Sequence, residues 1–134
     1  MQKVGILNSS IAKVLADLGH TDKVCVGDCG LPVPAGVEKI DLALRLGEPP
    51  FIEVIKEMAR YMQIEKIYLA PETKIQNPKQ WKALQEVFPE SEVEWVMLDS
   101  HEQLKAWEKD CKAVIRTGEI TPFSNVILQS GVIF

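Results

Sequence analysis

Short apolar segments of strand length alternate along this chain with stretches of helical periodicity. KVCVG at 23–27 is apolar on both faces, and KIYLA at 66–70 and VEWVML at 93–98 are further predicted strands. A strand has this pattern when helices cover both faces of a parallel sheet. The alternation therefore predicts an α/β fold: a single layered domain over residues 1–134, with a mostly parallel central sheet flanked by helices.

Helical spacing and capping residues predict helices between these strands. The first is capped by Ser9 or Asn8 and ends at Gly19, which takes the C′ position. Further helices are predicted at three places: after Pro49–Pro50, from Asn77–Pro78, and from the capping box of Ser100 and Gln103. The remaining strands are predicted in the segments VEKIDLAL, AVIRTG and NVILQSGVIF.

Charge and composition exclude several classes of protein. The formal net charge is −4 and the basic residues are scattered, which argues against binding to nucleic acid. No apolar run approaches the roughly 18 residues of a membrane span, and the N-terminal segment is too polar for a secretory signal. The three cysteines, Cys25, Cys29 and Cys111, indicate reduced thiols in a cytoplasmic protein rather than a disulfide framework.

Two groups that can exchange protons flank the strand at 23–27. His20 follows the end of the first helix, and Asp28 follows the strand, at the edge where α/β proteins bind ligands. The imidazole of His20 is suited to acid–base chemistry because its unperturbed pKa is about 6.5. The alternatives are structural, since a histidine also stabilises a helix C-terminus and an aspartate is common in turns.

Two further segments carry candidate polar residues. His101, the only other histidine, lies near the start of a predicted helix, where a surface histidine is also unremarkable. In RTGEITPFSN (116–125), Arg116, Glu119 and Asn125 can bond hydroxyl groups, and Phe123 can pack against a sugar ring. The alternative is ordinary turn chemistry, with Arg116 and Glu119 paired at the surface.

No cofactor or metal is predicted. Cys25 and Cys29 with the two histidines invite a zinc interpretation, but C-x3-C matches no strong zinc pattern. Strand alternation also places Cys25 inside the strand and Cys29 in the loop. The glycine motifs of nucleotide binding and the G-x-S-x-G of serine hydrolases do not occur.

Three segments of the chain together resemble a known family: GILNSSIAKVLADLGHTDKVCVGDCGLPVP, KIDLAL and VIRTGEITPFSNVILQSGVIF. They resemble the D-ribose pyranase family, the RbsD-like branch of the RbsD/FucU sugar mutarotases, and the similarity spans essentially the whole chain. The resemblance implies a cytoplasmic α/β enzyme that assembles as a homodecamer of two pentameric rings. It also implies interconversion of the β-pyranose and β-furanose forms of D-ribose, without metal or cofactor.

The resemblance also implies roles for individual residues. His20 is similar to the family's proton donor. Five residues fall on positions that bind substrate in the family: Asp28, His101, Phe123, Ser124 and Asn125. The family commonly has Tyr where this chain has Phe123, so a hydroxyl that can bond the sugar is missing. Asp28 either orients sugar hydroxyls or holds a histidine in the required tautomer.

The spacing of His20 and Asp28 raises a geometric problem. Five extended residues span about 16 Å at roughly 3.3 Å each, which is too far for both groups to reach one pentose. Either the flanking segments fold back, or His20 of one chain meets Asp28 of its neighbour; we expect the second arrangement. Two alternatives to a ribose pyranase stay open: a mutarotase for fucose or another free aldose, and a non-catalytic ribose-binding accessory protein.

Overall fold

The structure, a computed structural model, describes residues 1–134. Its six strands are β1 (Lys23–Gly27), β2 (Glu38–Asp41), β3 (Ile64–Leu69), β4 (Glu94–Met97), β5 (Ala113–Arg116) and β6 (Val126–Ser130). They form one sheet in the order β2-β5-β1-β6-β3-β4. Only β6 runs antiparallel to its neighbours, β1 and β3, and the other pairings are parallel. The predicted α/β fold with a mostly parallel sheet is confirmed.

Five helices and one 3-10 turn connect the strands. They are α1 (Ser9–Asp17), α2 (Phe51–Tyr61), α3 (Pro71–Gln76), α4 (Pro78–Val87), α5 (His101–Trp107) and the turn Glu108–Asp110. None of these helices has the length and apolar character needed to cross a membrane.

The two faces of the sheet are covered by two separate apolar clusters. Val24 and Val26 of β1 belong to a cluster of 20 buried residues that includes side chains of α1, α2 and α4. Cys25, between them, points to the other face, into a cluster of 9 buried residues that includes Leu104 of α5. Successive side chains of a strand point to opposite faces, so β1 must be apolar throughout. Its sequence reflects this burial on both faces.

Gly19 takes the predicted C′ position after α1, but it does not have the left-handed conformation that is usual there. The helix ends at Asp17, and its C-cap Leu18 is already extended. The left-handed residue is instead Thr21, with a φ of 70°. Its backbone N–H donates to Ser130 O at 2.9 Å, which ties the turn to β6. The position of this turn is therefore set by a hydrogen bond to a distant strand. The helix-ending signals near Gly19 give no information about that contact.

Helix α3 is absent from the sequence prediction. It has six residues, and Thr73 is its only buried one, so no apolar periodicity marks it. The predicted helix at Asn77–Pro78 is present as α4, and the Asn77 side chain caps it by accepting from Gln80 N at 3.4 Å. Helix α3 leads directly into α4 and brings Thr73 and Asn77 against the loop between β5 and β6.

Candidate functional site

Three of the predicted site residues line one cavity at the carboxyl end of β1. Asp28, His101 and Phe123 border a space of about 300 Å³. Asp28 directly follows β1, His101 is the first residue of α5, and Phe123 lies in the loop 117–125 between β5 and β6. The cavity therefore brings together polar groups from three separated parts of the chain, beside an aromatic ring.

Hydrogen bonds with Asn125 and Gly30 fix the position of Asp28. The Asn125 side-chain oxygen accepts from Asp28 N at 3.0 Å, and the Asp28 carboxylate accepts from Gly30 N at 3.0 Å. A Cβ on Gly27 would lie 2.7 Å from that asparagine oxygen and 2.3 Å from Leu31 Cδ2, so a larger residue would displace the side chain that holds Asp28 N. The Asn125 Nδ2 is buried without a hydrogen-bond partner. A buried amide of this kind commonly binds a ligand or an ordered water.

The ring of His101 makes no hydrogen bond to the protein. The residue is held instead through its backbone. Its N–H donates to the Glu72 carboxylate at 3.0 Å, and its ring meets Phe123 edge-on with centroids 5.2 Å apart. Burial lowers the pKa of His101, and the charge of Lys105 lowers it further, against the opposing effect of Asp28. Its Nδ1 is buried and has no partner. The ring is therefore neutral near pH 7, with an unused polar atom beside the cavity.

The loop that carries Phe123 has a constrained backbone. Phe123 has a φ of 62°, which is rare for an aromatic residue and costs about 1 to 3 kcal/mol. The carbonyl of Phe123 accepts from the Thr73 hydroxyl at 3.0 Å, and Asn77 Nδ2 donates to Pro122 O at 3.0 Å. Residues of this kind occur where surrounding structure imposes the conformation, often at functional sites.

Ser124 does not line this cavity. Its hydroxyl donates to Thr121 O at 2.8 Å and accepts from Asn77 Nδ2 at 3.1 Å, and the residue is fully buried. Its hydrogen bonds thus serve the loop. Asn125 is also buried, and it contacts the site through Asp28 N.

Arg116 and Glu119 do not form the surface pair that was the structural alternative for this segment. Glu119 is buried, and its carboxylate accepts from five donors: Phe51 N, Gln80 Nε2, Ile120 N, Thr121 N and Thr121 Oγ1. Burial raises the pKa of Glu119, but these hydrogen bonds outweigh it and hold the pKa below its ordinary value. Arg116 instead donates to Asp41 and to Cys29 O, each at 2.9 Å. The two side chains have different partners because the loop turns Glu119 inward.

His20 lies in a different cavity, at the amino end of β1. This space of about 450 Å³ is lined by Leu15 of α1, by residues 18–20 and 61–63, and by the C-terminal residues 130–134. His20 Nε2 is 3.0 Å from the Glu65 carboxylate, and 52% of the His20 side chain is exposed. Within one chain, therefore, His20 and Asp28 do not meet.

Sequence reasoning missed two carboxylates near these sites. Glu65 contacts His20, which lies 45 residues earlier in the chain, and no motif around Glu65 indicates this contact. Glu108, in the 3-10 turn after α5, is completely buried, and neither of its oxygens has a partner. Burial raises the pKa of Glu108 to about 7, and the charge of Asp28 adds to the rise.

The cysteines do not form a metal cluster. No group of three or more His, Cys, Asp or Glu side chains is arranged to hold a metal ion. Cys25 and Cys111 are buried free thiols, and burial raises the pKa of Cys111 to about 12.

Comparison with known proteins identifies the family. The chain matches the RbsD / FucU transport protein family over residues 1–133. Proteins named D-ribose pyranase from Staphylococcus haemolyticus and Bacillus subtilis are each 53% identical over 134 residues, with 100% of both chains covered. One from Lactococcus lactis subsp. cremoris is 58% identical over 132 residues, covering 98% of each chain. The chain belongs to the RbsD/FucU family, as the resemblance predicted.

Solved structures agree with this assignment. Bacillus subtilis RbsD complexed with D-ribose matches with a TM-score of 0.95 and 54% identity, covering 100% of both chains. The fucose mutarotase of Streptococcus pneumoniae, in complex with L-fucose, matches with a TM-score of 0.77 and 18% identity, over 96% of this chain and 95% of that one. The second similarity shows a common fold.

Proposed function

We propose that this protein is a D-ribose pyranase, an isomerase that interconverts the β-pyranose and β-furanose forms of D-ribose. The observation that carries the proposal is the similarity to a ribose-bound protein, with a TM-score of 0.95 and 54% identity. Full-length relatives at 50% to 58% identity bear the name D-ribose pyranase. We propose that residues 1–134 act as one domain, without cofactor or metal.

The cavity at the carboxyl end of β1 is suited to a small sugar. The carboxylate of Asp28 accepts hydrogen bonds from hydroxyl groups, and the free Nδ2 of Asn125 donates one. The partnerless Nδ1 of His101 offers a third polar contact, and the ring of Phe123 supplies an apolar wall. A few fixed polar groups beside an apolar surface are typical of small-molecule sites. We assign substrate binding to Asp28, His101, Phe123 and Asn125, and we assign to Ser124, which was also predicted to bind substrate, the role of holding the loop between them.

His20 supplies the acid–base chemistry in this proposal. A change of ring size requires the hemiacetal to open and then close through a different hydroxyl. Opening needs a proton delivered to the ring oxygen and another removed from the anomeric hydroxyl. A positioned histidine performs such transfers near neutral pH, and typically contributes about 10² to 10⁴-fold.

We propose that each complete site combines His20 of one chain with Asp28 of another. The two residues flank β1 and line different cavities, so one chain cannot apply both to one sugar. Large apolar side chains are exposed beside both cavities: Ile133 and Phe134 near His20, and Ile120 near Asp28. A second copy that covered these side chains would bring the two halves together. The family resemblance favours a cytoplasmic homodecamer of two pentameric rings.

The test is NMR saturation transfer between the pyranose and furanose anomeric signals of D-ribose. The wild-type protein should accelerate exchange, and His20→Ala should reduce that acceleration about 10² to 10⁴-fold. Lys13→Ala, on the exposed face of α1, is the control variant: it also truncates a side chain to alanine, and it should leave the exchange rate unchanged. A wild-type protein that binds ribose without accelerating exchange would overturn the enzyme proposal and favour the binding-only accessory.

One observation favours a second candidate, a mutarotase for fucose or another free aldose. Phe123 stands where the family commonly has a tyrosine, so the wall of the cavity lacks one hydroxyl. Exchange rates for ribose, fucose and galactose, measured under the same conditions, separate the two. The ribose proposal predicts the largest acceleration for ribose.

A further inference from the structure

The contact between His20 and Glu65 belongs to a longer hydrogen-bond network. His20 Nε2 lies 3.0 Å from one oxygen of the Glu65 carboxylate. The other oxygen accepts from Gln129 Nε2 at 2.7 Å, and Gln129 Oε1 accepts from the Tyr68 hydroxyl at 2.6 Å. The network thus connects the amino end of β1 to buried groups of β3 and β6.

A bulge in β3 makes this network possible. Ile64 pairs with Ser130 of β6, but Lys66 pairs with Gln129, so Glu65 is an extra residue on the β3 side. A bulge of this kind redirects a side chain, and bulges are common beside active sites. Here it lets the Glu65 carboxylate contact both Gln129 and His20.

The direction of every hydrogen bond in the network is determined. Tyr68 is buried, and this burial raises its pKa, so its hydroxyl remains a donor. The Glu65 carboxylate only accepts, so it orients the Gln129 amide group toward Glu65, and the Gln129 carbonyl then accepts from the Tyr68 hydroxyl. Hydrogen bonds from Gln129 and then from His20 lower the pKa of Glu65, which is therefore ionised and accepts only. His20 must donate through Nε2.

We propose that Glu65 is the positioning residue of His20, holding the ring as the Nε2–H tautomer so that Nδ1 exchanges protons with the sugar. The proposal rests on the catalytic role of His20 given above. Nδ1 makes no hydrogen bond within the chain, and His20 lines the open cavity. The hydrogen bond made by one ring nitrogen sets the protonation of the other. Asp28, the alternative partner considered from the sequence, does not contact His20 within one chain.

The first measurement is the tautomer of His20, from ¹⁵N–¹H long-range correlation spectra of protein labelled at histidine. Only two histidines are present, and His20→Ala assigns the signals. The proposal expects a neutral His20 ring in the Nε2–H form in the wild-type protein. A Nδ1–H ring would overturn it. This measurement needs no activity, so it decides the proposal even if the protein fails to accelerate ribose exchange.

The second measurement is the kinetics of variants in which the side chains of Glu65 and Gln129 are exchanged. In Glu65→Gln, Gln129 and His20 both donate to a side chain that has only one acceptor oxygen. We expect kcat to fall about 10- to 100-fold, as when other groups that orient a functional histidine are removed. KM should stay within about twofold. Adding Gln129→Glu restores the order: Tyr68 donates to position 129, position 65 donates to position 129, and His20 donates to position 65. The double variant has the wild-type net charge and should recover most of the lost rate.

The matched control is Glu94→Gln, which removes a carboxylate of neighbouring strand β4 that pairs with Lys66 at 3.1 Å. It should change neither the tautomer of His20 nor kcat. Equal losses in Glu65→Gln and Glu94→Gln, or a double variant no better than Glu65→Gln, would overturn the positioning role and point to a general charge effect.

Discussion

The two ends of β1 hold their polar side chains in different ways. At the carboxyl end, Asp28 is fixed by Asn125 and by a loop whose carboxylate, Glu119, is buried among five donors. At the amino end, His20 is half exposed, and its partner Glu65 is 34% exposed. The comparison shows that the loop behind Asp28 is anchored in the folded core, whereas His20, the proposed acid–base group, lies on the surface. Substitutions should therefore affect stability at one end and catalysis at the other.

The largest expected effect on stability is that of Glu119→Ala. It removes an ionised acceptor and leaves several buried donors without a partner, and hydrogen bonds to charged groups contribute about 1.5 to 3 kcal/mol each. We expect the free energy of unfolding to fall by about 4 kcal/mol, measured by urea denaturation. Glu65→Ala, at the other end, should cost clearly less. Equal losses for the two variants would contradict the contrast between buried and exposed ends.

The next effect depends on pH and concerns Glu108. Its pKa is raised to about 7 in the folded protein, so between about pH 4.5 and 7 the folded state holds a proton that the unfolded chain releases. Its stabilising contribution is therefore full below about pH 4.5 and is lost as the pH rises through about 7. At about 1.4 kcal/mol per pKa unit, the total loss reaches at most about 3.5 kcal/mol.

Glu108→Gln removes this titration. Relative to the wild-type protein, the variant should gain up to about 3 kcal/mol in unfolding free energy between pH 5 and pH 8, measured by urea denaturation at both values. Glu65 provides the opposite case, because its pKa is lowered and its contribution is lost as the pH falls. If the difference between Glu108→Gln and wild type were the same at both pH values, Glu108 would not titrate as described.

The smallest effect concerns Phe123, the proposed apolar wall of the sugar site. Phe123→Tyr adds a hydroxyl beside the Asp28 cavity, and a typical net hydrogen bond is worth about 0.5 to 1.5 kcal/mol. The dissociation constant for ribose should fall about two- to tenfold, measured by calorimetric titration. Lys13→Ala, on the exposed face of α1 and outside both cavities, is the control and should leave affinity unchanged. Unchanged or weaker binding in Phe123→Tyr would show that its ring edge does not face the sugar.

The sequence predicts the layers of the fold better than its turns. The apolar β1 is recognisable because both faces of that strand are buried. Helix α3 is not, because one buried residue gives no periodicity. The turn at Thr21 depends on a hydrogen bond to Ser130, more than 100 residues away in the chain. Local patterns contain no information about such contacts.

The same limit applies to the candidate site. Spacing alone placed His20 and Asp28 at opposite ends of a strand, and the family resemblance, not spacing, joined Asp28 to His101 and Phe123. The structure brings those three to one cavity. Glu65 could not be predicted, because its contact with His20 depends on a bulge that appears only when β3 pairs with β6.

The central claim is that each site takes His20 from one chain and Asp28 from another. The direct test is to mix His20→Ala and Asp28→Asn proteins, each inactive alone, after dissociating and reassembling them together, and to measure ribose exchange by saturation transfer. Random mixing in equal amounts should restore about a quarter of wild-type activity, because half of the chains supply each intact residue at an interface between copies. Mixed assemblies that remain inactive would contradict the claim and require both residues to act within one chain.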